Sequence, residues 1–426
     1  MGDNVRCSPL LICALSDTTS PSLAPPERMT PDERRSAFSL ASIYAMRMLG
    51  LFMVMPVFML EARHYEGGAD LSAVGLAMGV YGLVQAVLQI PFGMAADRVG
   101  RKRVIYIGLG LLALGSLVGA MATSVTGLAL GRALQGGGAI SAAVTALLAD
   151  QTRDAVRTKG TALVGASIGL MFALSLVLGP VLSAWGGLPA IFGVTLLLAL
   201  LGVLIVRFWT PAEPALPDSG AAKHSLWGLL VHPDLIRLNF GVFALYAVQL
   251  ASWVAIPALL IQAGVPSADH GWVYLPAVLL SFVVMGVTLF PMERRGLLRP
   301  LFLSCIVLVM GVQAAWGFMT LGQPQLWLLV FLLFLFFCGF NVLEASQPSL
   351  ASRLAPLGSR GSALGVYNTL QSLGIFAGGA MGGLLLKRVG ALGVFGASTA
   401  LMLTWLLVAW GTHYVRKSPA SGGTAH

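Results

Sequence analysis

A helix needs about 20 apolar residues to cross the hydrocarbon of a bilayer. This chain contains twelve such runs, at roughly 36–60, 71–96, 103–123, 126–150, 160–184, 188–209, 238–262, 271–291, 300–321, 326–351, 361–386 and 392–412. Backbone groups in lipid must satisfy one another within the segment, so runs of this length predict helices. Of the 426 residues, 57% are hydrophobic and only 10% are charged, where a soluble domain carries about 25% charged residues. The expected fold class is an all-α integral membrane protein.

The connections between runs are short, except the one after the sixth. Residues 210–237 hold TPAEPALPDSG and then LWGLLVHPDLIRL. This segment reads as a cytoplasmic linker between two six-helix bundles, 36–209 and 238–412. Residues 1–35 are polar and Pro/Ser-rich and read as a disordered cytoplasmic tail, and residues 413–426 read as a cytoplasmic tail at the other end. The apolar stretch PLLICAL (9–15) is too short to span and has no clear cleavage site after it. Met29, just before the first long run, is a second candidate start beside Met1.

Charge placement sets the expected orientation. Of 26 Lys and Arg residues, 21 fall on one face if the N-terminus is cytoplasmic. Arg63, Lys387 and Arg388 fall on the other face, and Arg47 and Arg132 lie within spans. The positive-inside rule therefore predicts both termini in the cytoplasm. Basic residues in short clusters between apolar runs argue against nucleic-acid binding. Cys7, Cys13, Cys305 and Cys338 form no CxxC pair, and the six histidines are scattered, so no metal site is expected. No G-x4-G-K-[ST] loop and no nucleophile–His–acid arrangement is readable, which speaks against ATP-driven pumping, enzymatic activity and a cofactor.

Residues 93–104, GMAADRVGRKRV, put five charges into seven positions between the second and third spans. Arg101 lies at i+4 from Asp97 and within its reach. Asp150 ends the fourth span at the same face, so Arg101 can bridge both acids. Arg98, Lys102 and Arg103 are explained by orientation alone, but the acid and the spacing glycines are not. KGTALVG (159–165) recurs as RGSALGV (360–366), 201 residues later. PMERRGLLRP (291–300) is a worn copy of the charged stretch, with Glu293 at the place of Asp97 and Gly296 at that of Gly100.

Gly93, Asp97, Arg98, Gly100, Arg101 and Lys102 resemble the loop 2–3 signature of the major facilitator superfamily, G-x-x-x-D-[RK]-x-G-[RK]-[RK]. Arg132, Gln135 and Gly136 match its R-x-x-Q-G signature in the fourth span. Of its span-five antiporter pattern only Gly179 and Pro180 remain. Ala166, Ser175, Ser183 and Ala184 stand where glycines are usual. RMLGLFMVMPV (47–57), YGLVQAVLQIPFG (81–93), GRALQGGGAI (131–140) and FNVLEASQPSL (340–350) are similar to the YajR-type branch of proton-coupled efflux proteins. That branch carries a C-terminal soluble domain. This sequence ends at ASGGTAH, and no function of that domain is carried over.

The resemblance implies twelve transmembrane helices in two pseudo-symmetric six-helix bundles, acting as a monomer in a bacterial inner membrane. It implies an Asp97–Arg101–Asp150 cluster, with Asp97 set against the start of the eleventh span at Gly361 and Ser362. A helix N-terminus favours a nearby carboxylate, so this contact would latch the two halves together at the cytoplasmic face. The resemblance also gives Arg132 a part in proton coupling.

Charges inside spans are costly and mark functional candidates. Glu344, with Asn341 and Gln347 about one turn to either side, is the first candidate for a proton-carrying group; a structural carboxylate is the alternative. Arg47, Tyr81, Gln85, Gln89 and Gln135 in the first half are candidate cavity residues. Tyr246, Gln249, Trp253, Asn341, Tyr367, Asn368 and Gln371 are their counterparts in the second, although polar residues in spans also simply join helices. The expectation is a secondary active transporter exporting a small organic compound or drug against protons. A facilitator, a proton symporter and a non-cycling sensor are the alternatives. Two arginines in the first half suit a neutral or anionic compound at least as well as a cationic one.

Overall fold

The structure is a computed structural model that describes residues 28–213, 232–355 and 360–411. Most of the expected N-terminal tail and linker, and all of the expected C-terminal tail, lie outside the described residues. The first half comprises α1 (Pro31–Val54), a short α2 (Phe58–Glu61), α3 (Leu71–Val99), α4 (Arg101–Met121), α5 (Val125–Gly136), α6 (Ser141–Asp150) and α7 (Asp154–Phe208). The second comprises α8 (Pro233–Gln262), α9 (His270–Arg294), α10 (Leu298–Met319), α11 (Leu326–Leu354), α12 (Arg360–Arg388) and α13 (Ala391–Trp410).

Among the described residues, ten helices are long and apolar enough to cross a membrane. Two features separate that number from the twelve expected runs. The fourth run is split into α5 and α6 by a break at Gly137–Ile140, and neither piece is long enough alone. The fifth and sixth runs are joined in α7, which bends at Gly186 and Gly187. Gly187 has φ +62°, the left-handed region that glycine enters without a Cβ penalty.

Helix ends follow local chemistry. α1 opens ahead of its apolar run because Thr30 and Glu33 form a reciprocal capping box. It stops at Val54, short of the expected residue 60, and Pro56 follows in the turn before α2. Asp70 caps α3 by accepting from the backbone N–H of Ser72 and Ala73.

The face bearing the clustered bases (the basic face) and the opposite, distal face are held differently. On the distal side, α3 of the first half lies directly on α12 of the second. A Cβ added to Gly75 would sit 2.5 Å from the Gly379 carbonyl, one on Gly79 2.7 Å from the Phe376 carbonyl, and one on Gly82 2.4 Å from the Ser372 carbonyl. Glycine lets the backbones touch, which is how helices associate where lipid removes the hydrophobic drive. α7 and α9 form a second contact between halves, with Gly271 against Leu176 and Val177.

On the basic face the two halves repeat one device. Arg35 donates to the carbonyls of Phe208 and Trp209, and Arg237 to that of Gly411. Lys102 donates to the Thr210 carbonyl and Arg299 to that of Trp410. Each pair of cations thus satisfies free carbonyls at the end of its half's last helix, where the helix dipole favours positive charge.

Candidate functional site

The charged loop between α3 and α4 is built around one arginine. Arg101 Nη1 donates to Asp97 Oδ1 at 2.9 Å, and Arg101 Nε donates to Asp150 Oδ2. The expected Asp–Arg–Asp cluster is therefore formed. The Arg101 side chain is 13% exposed and that of Asp97 65%. Gly100 turns the chain with φ +104°. The carboxylate of Glu213 accepts from the Arg101 backbone N–H at 2.6 Å and from that of Lys102 at 3.3 Å, capping the start of α4. Arg98 is exposed, which fits a purely orienting charge.

Asp97 shares no hydrogen bond with Ser362 among the described residues; its ion-pair partner is Arg101 on the next helix, and most of its side chain is exposed. The surroundings of Gly361 lie outside the described residues. The halves meet at the distal end of α3. Gly93, the first glycine of the signature, is not at a close approach: an added Cβ would meet the Ala142 Cβ at 3.8 Å, an ordinary contact. In the second half the worn copy of the loop still carries an ion pair, Glu293 with Arg353.

Within the spans, Glu344 accepts from the Tyr246 hydroxyl at 2.5 Å. Tyr367 and Gln371 of α12 lie beside that pair. Asn341 turns away and donates to Ser281 at 2.8 Å, because its position on α11 faces α9. Gln347 is fully buried, and neither amide atom has a hydrogen-bond partner among the described residues. Asn368 and Gln371 are part-buried.

In the first half, Arg47 donates to the Gly138 carbonyl, the Tyr81 hydroxyl and Gln85 Oε1 at 2.9, 2.9 and 3.1 Å. The Arg132 guanidinium lies 4.7 Å from the centre of the Tyr81 ring, a cation–π distance. Three expected cavity residues are taken up in packing. Gln89 bonds Ser141 at 3.0 Å, and Gln135 joins Arg132 to Ser116 at 2.9 Å on each side. Trp253 stacks edge-on to Tyr274 at 5.1 Å inside the second-half core. Gln249 and Tyr367 are buried.

The remnant of the span-five pattern keeps its packing purpose. A Cβ on Gly179 would reach 2.5 Å from the Met53 carbonyl, so α7 passes closely over the end of α1, and Pro180 follows inside the helix. Ser183, at a glycine position of the pattern, donates to Glu61 at 2.7 Å. Sequence reasoning missed Glu213, Glu61, and the Asp70–Lys387 ion pair of 3.0 Å that joins α3 to α12 across the distal face. Only the polar character of the linker and of the segment from the end of α2 to the start of α3 signalled Glu213, Glu61 and Asp70. The Ser72 hydroxyl and Lys387 hold the Asp70 carboxyl well below the usual carboxylate range.

Two bundles joined by glycine seams, with an Asp–Arg–Asp cluster at one face, define a membrane transporter class. Residues 38–379 match the model of the Major Facilitator Superfamily, and the chain belongs to that family, as a transporter of YajR type. It is 40% identical over 386 residues to the inner membrane transport protein YajR of Escherichia coli K12, covering 90% of this chain and 84% of that one. It is 26% identical to the multidrug resistance protein MdtH of Aeromonas salmonicida, over 83% of this chain and 91% of that one. A solved bacterial homologue of the human lysosomal transporter Spinster has the same fold, with TM-score 0.70 and 13% identity, covering 92% of this chain and all of that one.

Proposed function

We propose that the protein is a proton-driven exporter of a small organic compound, working as a monomer in a bacterial inner membrane with the basic face and both termini in the cytoplasm. The observation that carries the coupling is Glu344, an acid well inside α11 that is hydrogen-bonded to Tyr246 of a neighbouring helix. A carboxylate in lipid is costly while charged and cheaper when protonated, which suits a group that takes up a proton in one state and gives it up in another. The halves rock about a site near the midplane. Protonation of Asp97 and Glu344 resets them, and Asp97 latches onto the start of α12 when the cytoplasmic side closes. Arg132 contributes to coupling through its field near Tyr81. The multidrug name of the Aeromonas relative supports a drug-like cargo.

The test is flux in proteoliposomes with an imposed pH gradient and a pH-sensitive dye inside. A compound found by screening drives proton movement in the wild type. Glu344→Gln abolishes coupled proton movement while leaving substrate exchange. Undiminished coupling in that variant removes Glu344 from the role. A second reading, a facilitator or symporter, is favoured by the span-five pattern retaining only Gly179 and Pro180; it predicts flux without opposing proton movement. Absence of any flux across the library points to a sensor that does not cycle.

A further inference from the structure

Arg47 and Arg132 are each 1% exposed, and both rank among the largest fully buried side chains. Neither is in a salt bridge among the described residues. Their hydrogen-bond acceptors are the neutral oxygens of Gly138, Tyr81 and Gln85 for Arg47 and of Gln135 for Arg132. Tyr81 is shared between them, its hydroxyl toward Arg47 and its ring face under Arg132. Among the described residues, Arg47 Nη1 and Arg132 Nε have no hydrogen-bond partner. Arginine does not lose its proton in a protein, so both charges persist inside the first half.

Two buried cations served only by neutral oxygens are under-compensated. An arginine kept for clamping carbonyls has no reason to leave an N–H idle. The cover over Arg47 is also thin: Gln85, which bonds it, is part-exposed. Gln85 contributes one amide oxygen at 3.1 Å, the longest of the three bonds to Arg47. A carboxylate or sulfonate makes a charge-assisted, two-pronged contact with a guanidinium, roughly twice as strong as a neutral one, and would displace that amide. The acid of the spans, Glu344, sits in the other half with Tyr246.

We propose that Arg47 binds the anionic group of the transported compound, with Gln85 as its displaceable cover and Arg132 adding positive field from behind Tyr81. The cargo is therefore an organic anion. This rests on the transporter reading above and deepens it: the anion goes to the first half, and Glu344 in the second is left to the proton.

The test is binding, which needs no gradient. The melting temperature of the full chain in detergent is measured with benzoate, naphthalenesulfonate, benzamide and tetraphenylphosphonium at matched ionic strength. The two anions raise it, and the neutral amide and the cation do not. Arg47→Gln weakens the anion response by about tenfold or more in apparent dissociation constant, as loss of a charge-assisted pair predicts. Gln85→Ala keeps both cations, removes the competing oxygen and retains or strengthens the response. That variant decides the matter alone if Arg47→Gln does not fold. Any of these results overturns the proposal: protection by the cation, no protection by either anion, or a weaker anion response in Gln85→Ala. Equal protection of Arg47→Gln and wild type does so too. Coupled flux can fail while anion binding stands, and the reverse, so the two readings fall separately.

Discussion

Gly100 and Glu213 are the residues on which the charged loop turns. Gly100 needs no more than the absence of a Cβ, since φ +104° is closed to most side chains. Glu213 supplies what the first turn of α4 lacks, an acceptor for the free N–H groups of Arg101 and Lys102. Its place resembles that of a side-chain N-cap, although it comes from the linker rather than from the preceding residue. Glu213→Ala is expected to destabilise the loop by about 0.5–2 kcal/mol, the usual loss on removing a cap, read as a lower thermal midpoint in detergent. Gly100→Ala is expected to lower the midpoint through backbone strain, by about 1–3 kcal/mol. Signature glycine and signature arginine were legible from their spacing. Glu213 was not, because its target lies more than a hundred residues away and no periodicity links them.

At the scale of elements, the α3–α12 seam decides which face is closed. Gly75, Gly79 and Gly82 meet Gly379, Phe376 and Ser372 backbone to backbone. Gly79→Leu would force α12 away from α3 at the distal end. Overpacking of this kind typically amounts to about 1–3 kcal/mol, a shift of roughly fivefold to somewhat over a hundredfold between distal-closed and distal-open populations. Cysteines placed on the distal faces of α3 and α12 should label faster in that variant; unchanged labelling would show that the seam does not set the state. A glycine in a membrane helix reads from sequence only as a small residue. Which neighbour it touches depends on the rotation of two helices about their axes, and that rotation is set by the whole bundle.

Over the whole molecule, ionic contacts mark opposite faces. Asp70–Lys387 joins the halves at the distal face, whereas the Asp97–Arg101–Asp150 cluster at the basic face stays within one half. The distal pair is half-exposed, so it reports closure more than it enforces it. Because the folded pKa of Asp70 is depressed, its contribution is present above the ordinary aspartate pKa of about 3.9. It is lost as pH falls below that value and through the lowered one. Closure of the distal face should therefore be insensitive to pH between 5 and 8, roughly, and weaken only in stronger acid. Any pH response near neutrality must come from elsewhere in the chain. Reversing the pair, Asp70→Lys with Lys387→Asp, should restore distal closure that either single change weakens, measured by the same labelling; failure to restore it would assign the effect to packing alone.

The sequence by itself determined that the chain is helical, membrane-embedded and built as two halves, because these follow from local facts. Each apolar run closes its own hydrogen bonds in lipid, and the signature loop carries its chemistry within a dozen residues. It also singled out Arg47, Arg132 and Glu344, since a charge inside a run needs no partner to be noticed. Only the tertiary structure decided which polar side chains are spent on packing, as Gln89 is on Ser141 and Gln135 on Ser116. It alone showed that the repeat survives as paired cations on helix ends, Arg35 with Arg237 and Lys102 with Arg299, after the residues around them had diverged. And it decided that the distal seam is shut, with α3 laid backbone to backbone on α12. These are distances between residues remote in the chain, fixed by how whole helices pack, and no local pattern encodes them.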